Sequence, residues 1–247
     1  MEAGDALVIV DAGGPPPFEF SHSAHAGCLS FEFSIGIERV VVNCGAPSAP
    51  HLDARELARA TAAHSTLTIE DRSSARIALQ SAPRRRAGRV LAGPRNVGVE
   101  RRRLEGETAL ILSHDGYARD FDLIHARELS LAADGATLAG VDRLLSAESL
   151  GRHEQASDFA VRFHIHPRVR VAPDADGAIE LTLPNGEILL FEAQGVVPEV
   201  EDSIFFAAPG GARKCAQIVL RGAAAAGAEI AWSFRRRAGG EAPSARQ

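Results

Sequence analysis

Two histidines and a carboxamide give the stretch from Phe20 to Ser65 the densest potential for chemistry in this chain. A hairpin with strands Cys28–Ser34 and Arg39–Cys44 and a turn near Gly36 sets Glu32 opposite Arg39 and Cys28 opposite Asn43. Opposite charges then meet across the ribbon. Ser30, Glu32, Ser34, Arg39 and Asn43 share one face, while Leu29, Phe31, Phe33, Val40 and Val42 point into a core. His25, just ahead of the first strand, meets Asn43 at the open end of the ribbon, and His64 folds back after a short helix. Two imidazoles and an oxygen donor suit a divalent metal, zinc above all. Because Asn43 is neutral it leaves the ion's charge uncompensated, which predicts partial occupancy. The competing reading makes His25 and His64 hydrogen-bonded loop histidines with no ligand.

Other candidates are weaker. Glu32 as the base of a zinc hydrolase lies about four residues, roughly 13 Å, up the strand from the histidines. His164 and His166 share a face in Phe163–Pro167, with Phe163 and Ile165 packing inward, but no carboxylate follows nearby. His114-Asp-Gly-Tyr117 reads as a turn at a strand end rather than a catalytic dyad. Cys28, Cys44 and Cys215 are too few and odd in number for a disulfide framework, and alternation buries Cys44 away from Asn43.

The elements that must position these residues are strands. Short alternating or β-branched runs recur from ALVIV to EIAWSFR, each bounded by Gly, Asp, Asn or Pro. They predict an all-β fold, a two-layer antiparallel β-sandwich of about a dozen strands. Asn185-Gly186 and Asp134-Gly135 mark hairpins. One short helix is expected in DARELARATA, with Leu57 and Ala60 at helical spacing and Asp53 capping the first turn. A chain of 247 residues, 45% hydrophobic, can bury one full core, so one domain is expected over residues 1–238, with the patternless 239–247 a disordered tail.

The formal charge of −5 argues against a generic nucleic-acid surface. The dense basic runs, from Arg84 and at Arg101–Arg103, lack interleaved stacking aromatics and read as solvated loop or edge. MEAGDALVIV lacks the features of a signal peptide and no apolar run approaches ~20 residues, so no membrane insertion is expected.

SAHAGCLSFEFSIGIERVVVNCG followed by RATAAHSTLTI resembles the start of the β-sandwich domain of heparinase II/III-like polysaccharide lyases. HDGY, HARELSL, LAGVDRL, RFHIHP, LPNGE and the closing QIVL and IAW runs extend the resemblance over nearly the whole chain. It implies β-elimination of an acidic, uronate-containing polysaccharide, held in a cleft between this sandwich and an upstream α/α-toroid that supplies most catalytic groups. No toroid is read in this chain, so it is expected to be inactive by itself. The family's first motif resembles His-Ala-His-Ala-Asp. Matching its core puts His25, Asn43 and His64 at the metal-ligand positions and Ser23 at the substrate-facing histidine, with Gly27 in place of the closing aspartate. His22, one residue away, is the candidate to replace the lost catalytic imidazole, and Ser23 becomes a candidate substrate contact. The resemblance also implies a periplasmic or cell-envelope location. The alternative is a non-catalytic carbohydrate-binding or degenerate domain.

Overall fold

The computed structural model describes residues 1–47, 52–148, 154–174 and 177–237. The expected tail, 239–247, lies outside the described residues. Among the described residues, two antiparallel sheets of eight strands each form a two-layer sandwich. The first runs, edge to edge, through Glu2–Ala3, Ala6–Val10, Phe31–Ile35, Glu38–Val42, Asp158–Ile165, Arg213–Ala223 and Glu199–Phe205, with Leu67–Ile69 added against Asp158–Ile165. The second runs through Arg170–Pro173, Ile179–Thr182, Ile188–Ala193, Glu229–Arg236, Thr137–Ser146, Leu123–Ala132, Glu107–His114 and Val97–Leu104. A two-stranded sheet, Arg76–Ile77 with Val90–Ala92, stands outside both.

Alternation produces the core. Leu123–Ala132 buries every second side chain, and Phe31, Phe33, Phe163, Phe191, Trp232 and Phe234 interdigitate between the layers. Phe31 stacks on Trp232 with ring centroids 5.6 Å apart, and Phe163 meets the same indole edge-on at 4.7 Å. Gly186 and Gly135 adopt φ +89° and +72° at their hairpins, the conformation their Asn-Gly and Asp-Gly pairs predict. The basic run Arg101–Arg103 lies on the exposed edge strand Val97–Leu104, where Arg102 pairs with Glu100 at 2.7 Å. Among the described residues no helix is long and apolar enough to cross a membrane.

Three sequence expectations need correction. The Gly36 hairpin is tighter than expected: Ile35 faces Glu38 and Ser34 faces Arg39, with a bulge between Phe33 and Ser34. Cys28 therefore never pairs with Asn43. The first strand begins only at Phe31, because Cys28 and Leu29 form a turn with Leu29 at φ +61°. Glu32 and Arg39 still meet, diagonally, at 2.9 Å. The expected helix is α1 (Leu52–Arg59), but it buries Ala58 and leaves Leu57 68% exposed. A second, one-turn helix, α2 (Ala118–Phe121), follows Tyr117 and is too short to show a period.

Candidate functional site

The site is built where two crossing segments are stitched to the ends of the first sheet. The histidine loop is tied to the end of α1: Arg59 donates from Nε to the Ala24 carbonyl at 2.6 Å and from Nη2 to that of Ser21 at 3.1 Å. Ala26 N–H donates to the Arg59 carbonyl, and the Thr61 hydroxyl donates to the Ala26 carbonyl. The His64 segment is tied to the end of the strand Glu38–Val42. Cys44 N–H donates to the Ala63 carbonyl, the Ser65 hydroxyl to the Val42 carbonyl, and Ser65 N–H to Asn43 Oδ1 at 2.9 Å.

These ties bring His25 and His64 together. His25 Nδ1 lies 3.2 Å from His64 Nε2, and the rings meet edge to face. The other His64 nitrogen, Nδ1, donates to the Ala60 carbonyl at 2.8 Å. That bond fixes the tautomer, leaving Nε2 with a free lone pair. Two nitrogens each about 2.0–2.1 Å from a tetrahedral zinc would themselves be roughly 3.3 Å apart. The observed spacing therefore accepts either a shared proton or a shared metal. Burial, then the Ala60 bond and the neighbouring His25, set the His64 pKa, which falls to about 4. Burial and the Arg59 and Arg55 charges also lower that of His25. Both rings are thus neutral and ligand-ready at pH 7, although the same arginines oppose a cation. Asn43 stands beside them through Ser65, with its oxygen already accepting one hydrogen bond. No cluster of three His, Cys, Asp or Glu that could hold a metal occurs among the described residues, and the carboxamide of Asn43 is the oxygen donor the sequence places nearby.

A pocket of about 260 Å³ opens on His25 and is lined also by Ser23, Phe20, Asp11, Cys28 and Pro94. Ser23 is thus placed where a ligand beside His25 would touch it. His22, on the exposed face of the 3-10 turn Phe18–Ser23, does not line this pocket, so the one-residue displacement changes its direction. Glu32 is held by Arg39, away from the histidines. Tyr117 is buried and donates its hydroxyl to the Leu67 carbonyl at 3.0 Å, and Asp115 accepts from Arg95 N–H and Asn96 N–H. The turn reading of His114–Tyr117 therefore holds. His164 is buried, its Nε2 donating to the Ala62 carbonyl and its Nδ1 accepting from Ser203, while burial lifts the Cys28 and Cys44 thiols to about 12.

Gly27 is not a vacancy waiting for the motif's aspartate. A Cβ there would lie 2.7 Å from His64 Cδ2 and 3.1 Å from its Nε2. Gly27→Asp is therefore expected to push the His64 ring aside and to weaken zinc retention in a chelator titration despite its added charge. Asn43→Asp, which keeps the oxygen that Ser65 uses, is expected to strengthen it. Equal behaviour of the two variants would remove the His64 contact from the explanation.

Sequence reasoning missed what lies beneath. Arg127, on the strand Leu123–Ala132, donates from Nη1 to the carbonyls of Leu29 and Ser65, both at 2.8 Å, bracing the two segments that carry the histidines. Its charge is met by Asp142, which accepts from Arg127 Nε at 2.8 Å and Nη2 at 3.1 Å, Trp232 Nε1 at 2.8 Å and His125 Nε2 at 2.7 Å. Gly116 N–H donates to His114 Nδ1, so His114 Nε2 donates on to His125 Nδ1 at 3.4 Å, and one neutral tautomer set satisfies the chain. A signal was present. Alternation that points Leu129 and Leu131 inward points His125 and Arg127 inward too.

A family model described as heparinase II/III-like, C-terminal, matches residues 1–233. FtsZ-localized protein C of Caulobacter vibrioides (strain NA1000 / CB15N) is 31% identical over 247 residues, covering 97% of this chain and 42% of that protein. Heparan sulfate lyase HepC from Pedobacter heparinus is similar with a TM-score of 0.69 at 16% identity, over 97% of this chain and 34% of that one. The heparinase III BT4657 gene product gives 0.67 at 13% identity, over 94% and 32%. At such identities the structural likeness speaks for the fold alone. The chain spans about two fifths of the curated relative and about a third of each of these two structures.

Proposed function

Because the chain belongs to the heparinase II/III-like C-terminal domain family, we propose that it forms the β-sandwich wall of a cleft for an acidic, uronate-containing polysaccharide, braced by a divalent metal, zinc in the first instance. The observation that carries this reading is the opposition of His25 Nδ1 and His64 Nε2 across 3.2 Å beside an open pocket. His25, His64 and Asn43 would hold the ion, which when bound would supply a fixed positive charge at the cleft wall. Ser23 would contact the sugar. His64 is oriented by the Ala60 carbonyl, and the histidine loop by Arg59. β-Elimination also needs a base for the C5 proton and an acid for the leaving oxygen, both within hydrogen-bond reach of the substrate. In this reading an α/α-toroid contributes them, and the whole protein works in the periplasm or cell envelope.

The test is an absorbance assay for unsaturated uronate on heparan sulfate and other uronate-containing polysaccharides, with retardation of the same glycans in affinity electrophoresis. The chain alone is expected to bind and not to cleave. Vigorous depolymerisation by the chain alone, or no retardation by any acidic glycan, would overturn the assignment.

A second reading, a non-catalytic domain, is favoured by Ser23 at the substrate-facing position and by the closed space at Gly27. The curated relative's name, FtsZ-localized protein C, gives that protein a place and not a reaction. A glycan bound without turnover even by the whole protein would select this reading.

A further inference from the structure

A cleft of about 700 Å³ lies between the end of α1, the two-stranded sheet and the turn at Asp115–Gly116. It shares Ser74 and Ala75 with the His25 pocket, so the two are neighbours across that wall. Its walls carry Arg59, Arg72, Arg76, Arg95 and Arg119 against Glu56, Asp115 and Asp120, five cationic groups against three anionic ones, in a chain whose net charge is −5. Arg72 is itself paired with Glu154 at 2.6 Å, and the carboxylates of the walls are engaged as well. Glu56 accepts from Gln80 N–H at 2.6 Å, Asp115 from Arg95 N–H, Asn96 N–H and Asn96 Nδ2, and Asp120 faces Arg76 at 3.8 Å.

Arg59 is the unusual member. It is 2% exposed, yet no carboxylate lies within salt-bridge distance of it among the described residues. Its Nε and Nη2 donate to backbone carbonyls, which use two of its five N–H groups and leave its charge to the field of Glu56 on the same cleft wall. A buried guanidinium with no carboxylate in contact is costly, and an oxyanion could accept from the N–H groups that the backbone carbonyls leave over. Arg95, at the rim, likewise makes no ion pair among the described residues, and only its backbone N–H is engaged, by Asp115.

We propose that this cleft binds an oxyanion, the carboxylate or sulfate of an acidic saccharide, with Arg59 as its buried anchor and Arg76 and Arg95 closing over it. The oxyanion rests on the cleft itself, and the saccharide rests on the function proposed above. A chain lying across both pockets would place a charged sugar over Arg59 and its neighbour beside Ser23 and His25.

Calorimetric titration with sodium sulfate against sodium chloride at equal ionic strength tests the anchor. Sulfate is expected to bind saturably, and Arg76→Gln combined with Arg95→Gln is expected to weaken it about tenfold while leaving the thermal midpoint in chloride unchanged. Because Arg59 also holds the histidine loop, Arg59→Lys serves as the second variant, expected to retain the fold and weaken sulfate comparably. Sulfate indistinguishable from chloride, or affinity unaltered in both variants, overturns the proposal. Competition of sulfate by a uronate oligosaccharide supports the saccharide as the source. Sulfate binding with no such competition overturns the saccharide assignment, whereas glycan retardation without sulfate binding overturns the cleft and spares the functional reading.

Discussion

Asp142→Asn is expected to destabilise the sandwich by about 3–5 kcal/mol, the cost of leaving one member of a buried ion pair uncompensated. For a domain of this size that is a fall in thermal midpoint on the order of 10 °C. Asp142 and Arg127 are both inaccessible, and Asp142 accepts from four donors on three residues of its own sheet. A carboxamide can accept through one oxygen only and turns its NH₂ toward donors. The damage should spread, because Arg127 carries the Leu29 and Ser65 carbonyls and through them both histidine segments. Chemical denaturation of the variant reads the loss directly. A change below about 1 kcal/mol, the range of an ordinary hydrogen bond, would mean that the network is not what braces the site.

Acid is expected to unfold the protein well above the usual carboxylate range. Burial holds His164 at about 4, and burial holds His114 and His125 neutral as well, the latter against the pull of Asp142. In the unfolded chain these imidazoles titrate near 6.5. Groups whose folded pKa is depressed in this way lose stability as pH falls through 6.5 toward the folded value, since only the unfolded state takes up the proton. Each group contributes at most about 1.4 kcal/mol per pH unit in that window. Asp142 adds to this at lower pH: burial would raise its pKa, but Arg127 and His125 overcome that and hold it well below the ordinary range. Its contribution is present above about 3.9 and disappears as pH falls further. Denaturant midpoints at pH 7, 6, 5 and 4.5 should drop steadily, with His164→Gln flattening the slope. A flat profile between pH 7 and 4.5 would contradict the buried neutral histidines.

The strands were legible because alternation and turn chemistry agree along most of the chain, from Ala6–Val10 to Glu229–Arg236. Glu199–Phe205 was not, since an edge strand rich in Glu and Asp carries little apolar period. The hairpin register failed first at the turn, where Ile35 already faces Glu38 and Ser34 faces Arg39, and again at the bulge between Phe33 and Ser34, neither of which alternation encodes. At the site, the proximity of His25 and His64 followed from the chain's need to fold back after α1. His22 pointing off the pocket, the closeness of Gly27 to the His64 ring and the brace at Arg127 depend on backbone path and long-range packing. Of these, Arg127 and Asp142 left a trace, as charged residues on core-facing strand positions that demand buried partners.

Elemental analysis of the purified chain, beside His25→Ala and His64→Ala, bears most directly on the opposed imidazoles. Zinc is expected in the wild type at sub-stoichiometric to unit occupancy, lost from both variants while their far-ultraviolet circular dichroism is kept. Metal-free wild type after saturation with zinc, or equal zinc in all three proteins, would contradict it.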